Sequence, residues 1–418
     1  MRQADGQKPG IDMVRVARVM LLMELSVLLI STSAAVGVEL LLYPLFLGSG
    51  VLRGRLVRAL DQPMVRMALL WGGVLVLATL YCVAPLAEAL DNLGSWRKLL
   101  LLPMAAAVFD DDRWKGRLVW TLLLTSTVGV VVSYGSWFLG TPIYKNKSAY
   151  QVGIAIANHA TQGMMFAVCL FTIAILARYA RPVQAGWRWF LGLAGLAIFA
   201  NLIFITPGRS GYLALLVMAG VAAFVLAPGR GRYFAVPAIV LGLGALLFFS
   251  PVASKRIMQG VSEIKTYEKS AELTSMGIRR YMWNNTLEMV KKRPLLGLGT
   301  GGFSEGYRQQ VAGQEGWQGQ PVDDCHNQYL RIVAEQGLVG LAVFLALLWS
   351  FFRQPVGLPY RAMGLGVLLA WCATSLFSAH FSTFMEGHFI YLWCGALLCK
   401  NSQDTESASL AAGSHTGV

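Results

Sequence analysis

The feature that most constrains this chain is a series of apolar runs that recurs from residue 17 to Cys399. A helix that crosses the hydrocarbon core of a bilayer needs about 20 apolar residues. Charged residues make up only 14% of the chain, whereas a soluble globular domain carries about 25%. The sequence therefore predicts an all-α integral membrane protein.

The apolar runs predict about 12 transmembrane helices and a simple division of the chain. The predicted spans are 17–34, 36–51, 66–84, 98–110, 118–137, 161–178, 189–206, 211–227, 233–250, 334–352, 362–378 and 387–399. Residues 1–250 then hold helices one to nine, and residues 328–400 hold helices ten to twelve. Residues 251–327 form one long loop with amphipathic helices, and residues 401–418 read as a disordered tail.

Positive charge predicts the orientation of these spans. With the N-terminus in the cytoplasm, the cytoplasmic segments hold nineteen Lys and Arg residues and the short outer loops hold five. Because cytoplasmic loops carry the excess of Lys and Arg, both termini are expected inside. The long loop then lies on the outer side of the membrane, which for the inner membrane of a bacterium is the periplasm.

The net charge of +13 has the same explanation, since most basic residues lie in short loops between apolar runs. No nucleic-acid partner is expected. Five of the six cysteines lie within or at the ends of apolar runs, and only Cys325 falls in the long loop. No disulfide framework is therefore indicated.

The long loop holds the polar residues that could form a catalytic face. Apolar residues at helical spacing predict amphipathic helices over 254–269 and 278–293. The second segment carries Arg279, Arg280 and Trp283, and a helix on the membrane surface can hold Arg279 at headgroup height. The glycine-rich segment 294–303 is either a tight structural turn or a contact for a glycan or phosphate.

A histidine lies where the chain re-enters the membrane, in the sequence Asp-Asp-Cys-His at 323–326. These side chains could ligate a metal, but their spacing matches no known metal pattern. The alternative is a neutral His326 that accepts a proton or a hydrogen bond.

Two outer turns add basic residues. Arg209, between spans seven and eight, is either an interfacial arginine that snorkels or an anion clamp at headgroup depth. An arginine held between two membrane helices is costly without a partner. Lys145 and Lys147, after span five, could contact phosphate or simply be solvated.

Three motifs together resemble the O-antigen ligase and polymerase superfamily. Residues 206–211 (TPGRSG) are similar to its Arg-Ser/Thr-Gly turn. Residues 277–303, with Arg279 and Trp283, are similar to its Arg…Trp…Pro-Leu-Leu-Gly-x-Gly pattern. The family's His-Asn-x-Tyr-Leu…Glu-x-Gly element has its counterpart in His326, Asn327, Tyr329 and Glu335.

The resemblance implies a GT-C-like glycosyltransferase that works without cofactor or metal and inverts the anomeric carbon. The donor is then a glycan on undecaprenyl pyrophosphate, and the acceptor is the lipid A–core oligosaccharide. Catalysis is assigned to His326, Arg209 and Arg279, and phosphate binding to both arginines with Arg280, Lys145 and Lys147. Supporting roles fall to Trp283, Asn327, Tyr329 and Glu335.

Two other functions stay open on the sequence. An O-antigen or exopolysaccharide polymerase would use the same lipid-linked donor and share the motifs. A transporter of lipid-linked glycans would need charge within the membrane interior, whereas the polar groups here cluster at one predicted face. Membrane lipids are partners in every case.

Overall fold

The structure is a computed structural model that describes residues 12–143, 151–179, 185–255, 257–258 and 275–401. This part of the chain is helical and holds no β-strand. Sixteen α-helices can be bounded in it. They are α1 (Met13–Leu28), α2 (Thr32–Gly48), α3 (Gly50–Ala59), α4 (Pro63–Thr79), α5 (Leu86–Ser95), α6 (Leu101–Val108), α7 (Asp112–Leu139), α8 (His159–Tyr179), α9 (Ala185–Phe204), α10 (Arg209–Leu226), α11 (Arg232–Phe249), α12 (Ser275–Lys292), α13 (Phe303–Gln310), α14 (Gln328–Phe352), α15 (Tyr360–Thr374) and α16 (Phe384–Leu397).

Six of the described helices are long and apolar enough to cross a membrane, namely α7, α8, α9, α10, α11 and α14. They correspond to the predicted spans 118–137, 161–178, 189–206, 211–227, 233–250 and 334–352. The other six predicted spans also fall on helices, but these are shorter. The helices indicate a multi-pass membrane protein, and the number of twelve spans remains a prediction.

One bent pair differs from the predicted arrangement. Helices α2 and α3 meet at an angle of 90° and together could form a seventh span. Ser49 lies at the bend, where its hydroxyl accepts a hydrogen bond from the backbone N–H of Leu52. Such a cap satisfies one of the free N–H groups at the start of a helix, so α3 can begin in a new direction.

The core joins helices from distant parts of the chain. Helix α8 packs on α10, α10 packs on α15, α4 packs on α14, and α6 packs on α16. At the contact of α8 and α10 the backbones touch, since a Cβ atom on Gly211 would lie 2.6 Å from Cα of Gly163. Glycine is required there because any side chain would separate the two helices.

The glycine-rich segment 294–303 has a structural role. The backbone N–H groups of Leu298 and Gly299 donate to the carbonyls of Ala334 and Glu335, at 2.9 and 2.8 Å. Gly299 has a φ of +88°, and a Cβ there would lie 2.3 Å from Cα of Cys82. This segment pairs with α14 beside Gly337, where the helix has non-helical backbone angles. Of the two readings of the segment, the structure supports the tight turn.

Helix α12 lies where the sequence predicted an amphipathic helix, at 278–293. Of the other predicted amphipathic helix, at 254–269, the structure describes only residues 254, 255, 257 and 258. Lys145, Lys147 and the tail 402–418 also lie outside them.

Candidate active site

A cavity of about 720 Å³ opens at one end of the helix bundle. Its described lining comes from six places in the sequence: the start of α2, the start of α8, the start of α10, Arg279 on α12, His326 before α14, and the segment that joins α15 to α16. These places are the outer turns of the predicted topology. The charged and imidazole side chains in the lining are Arg209, Arg279, His159, His326, His380 and Glu386.

The cavity brings together the three residues that the sequence assigned to catalysis. Arg209, Arg279 and His326 all line it, although they come from three separate segments. The described lining holds two arginines and three histidines but a single carboxylate, that of Glu386. Such a surface favours an anion, and the planar guanidinium group is suited to phosphate oxygens.

Arg209 is held in place by a polar network beneath its turn. The amide of Gln162 donates to the hydroxyl of Thr206 at 2.9 Å, and that hydroxyl donates to Oδ1 of Asn201 at 2.9 Å. The hydroxyl of Tyr212 donates to the carbonyl of Thr206 at 2.9 Å. Buried hydrogen bonds of this kind fix a turn in one conformation, so Arg209 enters the cavity at a defined height.

His326 sits on a constrained turn. Its φ of +54° lies in the left-handed region, which is uncommon for a residue other than glycine. Its backbone N–H donates to Oδ1 of Asp324 at 3.0 Å, and its Nδ1 lies 3.7 Å from Oδ2 of the same carboxylate. About half of the His326 side chain is exposed to the cavity and its mouth.

Three of the four predicted supporting residues, Trp283, Asn327 and Tyr329, form contacts that hold the segments behind the cavity. The indole N–H of Trp283 donates to the carbonyl of Cys325 at 2.9 Å and so ties α12 to the turn of His326. Asn327 caps α14 by accepting from the N–H groups of Tyr329 and Leu330. Tyr329 donates to the carbonyl of Cys372 at 2.9 Å.

Glu335 and Arg280 lie apart from the cavity. Glu335 is buried and forms an ion pair of 3.5 Å with Arg331. Arg280 is exposed on α12 and is not among the lining residues.

Cys325 does not fit a metal or nucleophile role at this turn. It is fully buried, and its Sγ faces the carbonyl of Asn327 at 3.4 Å. Burial raises the pKa of its thiol to about 12. A thiol must lose its proton to ligate a metal or to attack, so Cys325 is a structural residue here.

His159, His380 and Glu386 also line the cavity, although none of them was predicted as a site residue. His380 is 3% exposed, and neither of its ring nitrogens has a hydrogen-bond partner in the described part of the chain. Burial lowers the pKa of His380 below its usual value. Glu386 accepts a hydrogen bond from the hydroxyl of Thr161. The signal that could have found them is their position in predicted outer turns.

A second, apolar groove of about 760 Å³ lies along α8, α9, α10 and α11. Phe171, Phe199, Met218 and Leu243 are among its lining residues. Helix α10 connects the two spaces, since Leu213 lines the polar cavity and Leu215 lines the groove.

Comparison with known proteins relates part of the chain to one family. Residues 194–345 match the sequence model of the O-antigen ligase family. This range includes Arg209, Arg279 and His326, so the segments that carry these residues are similar to O-antigen ligases.

Relatives are found in two bacterial genera. An uncharacterized protein of Haemophilus influenzae is 30% identical over 164 residues, which are 38% of this chain and 41% of that protein. A protein of Rickettsia bellii named “Putative polysaccharide ligase” is 24% identical over 317 residues, 69% of this chain and 68% of its own length. A similarly named protein of Rickettsia conorii is 31% identical over 127 residues, 29% of each chain.

Proposed function

We propose that this chain is a membrane glycosyltransferase that moves a glycan from undecaprenyl pyrophosphate to the lipid A–core oligosaccharide. The observation that carries the proposal is that Arg209, Arg279 and His326 line one cavity although they come from three segments. The family match and the polysaccharide ligases among the relatives support a ligase or polymerase type of reaction.

The donor carries its own activation. The bond between the anomeric carbon and the pyrophosphate breaks, and the pyrophosphate oxygen leaves with the bonding electrons. Arg209 and Arg279 would stabilise the charge that develops on that leaving group. Removal of one such preorganised donor typically lowers the rate by about 10²–10³.

His326 would serve the acceptor. The acceptor hydroxyl oxygen forms the new bond to the anomeric carbon, and its proton passes to the imidazole of His326. Attack from the side opposite the pyrophosphate inverts the configuration of that carbon. His380 would offer a further hydrogen bond to a sugar hydroxyl, because it lines the cavity and its ring nitrogens have no partner among the described residues.

The apolar groove suits the lipid part of the donor. Its described lining is mainly alkyl and aromatic side chains. The groove runs along α10, the helix that begins at Arg209. An isoprenoid chain could lie there while its pyrophosphate meets the arginines. The cavity end would then face the periplasm, with both termini in the cytoplasm.

The test is transfer in cells that lack the native gene. Cells that express Arg279→Ala or His326→Ala should show bare lipid A–core on a gel, with long polymer left on its lipid carrier. Arg293→Ala, an exposed arginine beyond α12, is the matched control and should restore the normal ladder. Wild-type ladders from the cavity variants would refute the assignment. Core capped by single repeats in the gene deletion would instead identify a polymerase.

A further inference from the structure

A second cluster of ionisable side chains lies inside the bundle, below the cavity. Glu24 of α1, Glu39 of α2 and His388 of α16 place one ligand atom each within 4.8 Å of one another. All three side chains are buried, with exposures of 0%, 1% and 0%. From these contacts we infer that Glu24, Glu39 and His388 bind one divalent transition-metal ion, and Zn²⁺ is the ion that we use to test this. This inference is independent of the proposed glycosyl transfer.

Glu24 is the residue that points to a missing ligand. Neither of its carboxylate oxygens has a hydrogen-bond partner among the described residues. A buried carboxylate without a partner is expensive, above all inside a membrane protein. Because the other two groups lie within reach of it, a cation between the three side chains would satisfy both oxygens.

His388 has the orientation of a metal ligand. Its Nδ1 faces the backbone carbonyl of Phe384 and its Nε2 faces the cluster, 2.7 Å from Oε1 of Glu39. Histidines that ligate metals commonly donate the second ring N–H to a backbone carbonyl, which leaves the other nitrogen for the ion. The short Nε2–Oε1 distance would widen slightly to admit an ion bonded to both atoms.

Glu39 is oriented by neighbours that leave it anionic. Tyr43 donates to its Oε1 at 2.8 Å, and Nε of Arg97 donates to its Oε2 at 2.8 Å. Two carboxylates balance the charge of a divalent ion, while Arg97 remains about one-third exposed. Imidazole nitrogen and carboxylate oxygen are both donors that zinc accepts in proteins.

The site would brace the floor of the cavity. The ring of Phe384 lies 4.1 Å from the ring of His388 and also lines the cavity. Thr32, two turns before Glu39 on α2, lines the same cavity. An ion here would tie together three helices that come from the two ends of the chain.

The experiment uses the full-length protein without an affinity tag, in lipid nanodiscs, with ZnCl₂ as the probe. Metal analysis should find one zinc per chain, and zinc should raise the Tm. Glu24→Gln and His388→Gln should each weaken zinc binding by more than the roughly 10–100-fold that loss of an outer-shell partner costs. Glu88→Gln, on an exposed glutamate, and His326→Gln should bind zinc like the wild type.

X-ray absorption at the zinc edge tests the site without any variant. Nitrogen and oxygen ligands at about 2.0–2.2 Å are expected, whereas a sulfur shell at about 2.3 Å would place the ion at a cysteine and overturn the inference. Absence of zinc binding in the wild type, or unchanged binding in Glu24→Gln, would also overturn it. The cluster would then hold a proton on Glu24 instead.

Discussion

The two ends of the helix bundle differ in the role and the balance of their charged side chains. At the end away from the cavity, Arg18 and Arg55 form ion pairs of 2.6 and 2.7 Å with the same carboxylate, Asp110. Lys115 is buried nearby and donates to the carbonyl of Cys399 at 2.7 Å. These contacts close that end with partners from the protein itself.

At the cavity end, positive and imidazole groups outnumber acids. Glu386 is the single carboxylate among the described lining residues, and both nitrogens of His380 lack a protein partner in the described chain. Buried polar groups are normally satisfied within a protein. The first end therefore uses its charges in ion pairs between helices, whereas the second end lines a cavity with more basic and imidazole groups than acids.

The largest difference in glycan transfer should be seen between two alanine variants, one at an arginine of each end. Under the proposed function, Arg209→Ala should lower glycan transfer by about 10²–10³, because it would remove a preorganised donor to the leaving group. Arg55→Ala should leave the transfer rate per folded molecule within about twofold. Transfer by purified protein, normalised to folded protein, measures both. Equal losses in the two variants would show that the ends do not differ in function.

A smaller effect, on protein stability, is expected at the close contact between α8 and α10 near the cavity. Gly211→Ala should destabilise the protein by about 1–3 kcal/mol, because the added carbon meets the backbone of Gly163. Gly192→Ala, on a helix face with open space around it, is the control and should be neutral or slightly stabilising. Thermal unfolding in one detergent compares the two variants. A Tm unchanged by Gly211→Ala would contradict the backbone contact.

The opposite end should lose stability without losing activity. Asp110→Asn removes the shared partner of two partly exposed arginines and should cost about 1–2 kcal/mol. Asp91→Asn, on an exposed position of α5, should have no measurable effect. Tm and transfer rate are recorded together. A fall in the transfer rate of folded Asp110→Asn protein would break the separation of roles.

The smallest effect concerns pH at the cavity. Burial lowers the pKa of His380 in the fold, against the pull of Glu386 and Asp324, which raise it. The unfolded chain therefore binds this proton more readily, and stability should fall as pH drops below about 6.5, the ordinary histidine pKa. In His380→Asn the Tm should fall by about 1–2 °C less between pH 7.5 and 5.5. An identical fall in both proteins would exclude this contribution.

The helices were largely predictable, because apolar length alone marks them. All twelve predicted runs coincide with helices, although several begin or end a few residues away. The 90° turn between α2 and α3 was not predicted, since Ser49 resembles any other polar residue at a helix end. The sequence also did not predict which helices pack together, because apolar residues inside a membrane protein show little pattern that marks the contact face.

The site was predictable only where a motif marked it. Arg209, Arg279 and His326 each lie in a recognisable motif, and all three line the cavity. His380 and Glu386 belong to no such motif, so their position in the cavity became visible only in the structure. Glu24 and Glu39 lie about 350 residues from His388, and only tertiary packing brings them together.

The length of α2 gives the distance between the cavity and the bend that follows this helix. Helix α2 has 17 residues, which corresponds to a length of about 25 Å. It begins beside the cavity at Thr32 and ends at the arginine-bearing α3, which leaves at a right angle. If α3 rests along one leaflet, the cavity opens close to the opposite leaflet, since the hydrocarbon core is about 30 Å thick. The position of α3 at one membrane surface would then determine how deep in the membrane the cavity meets a lipid-linked substrate.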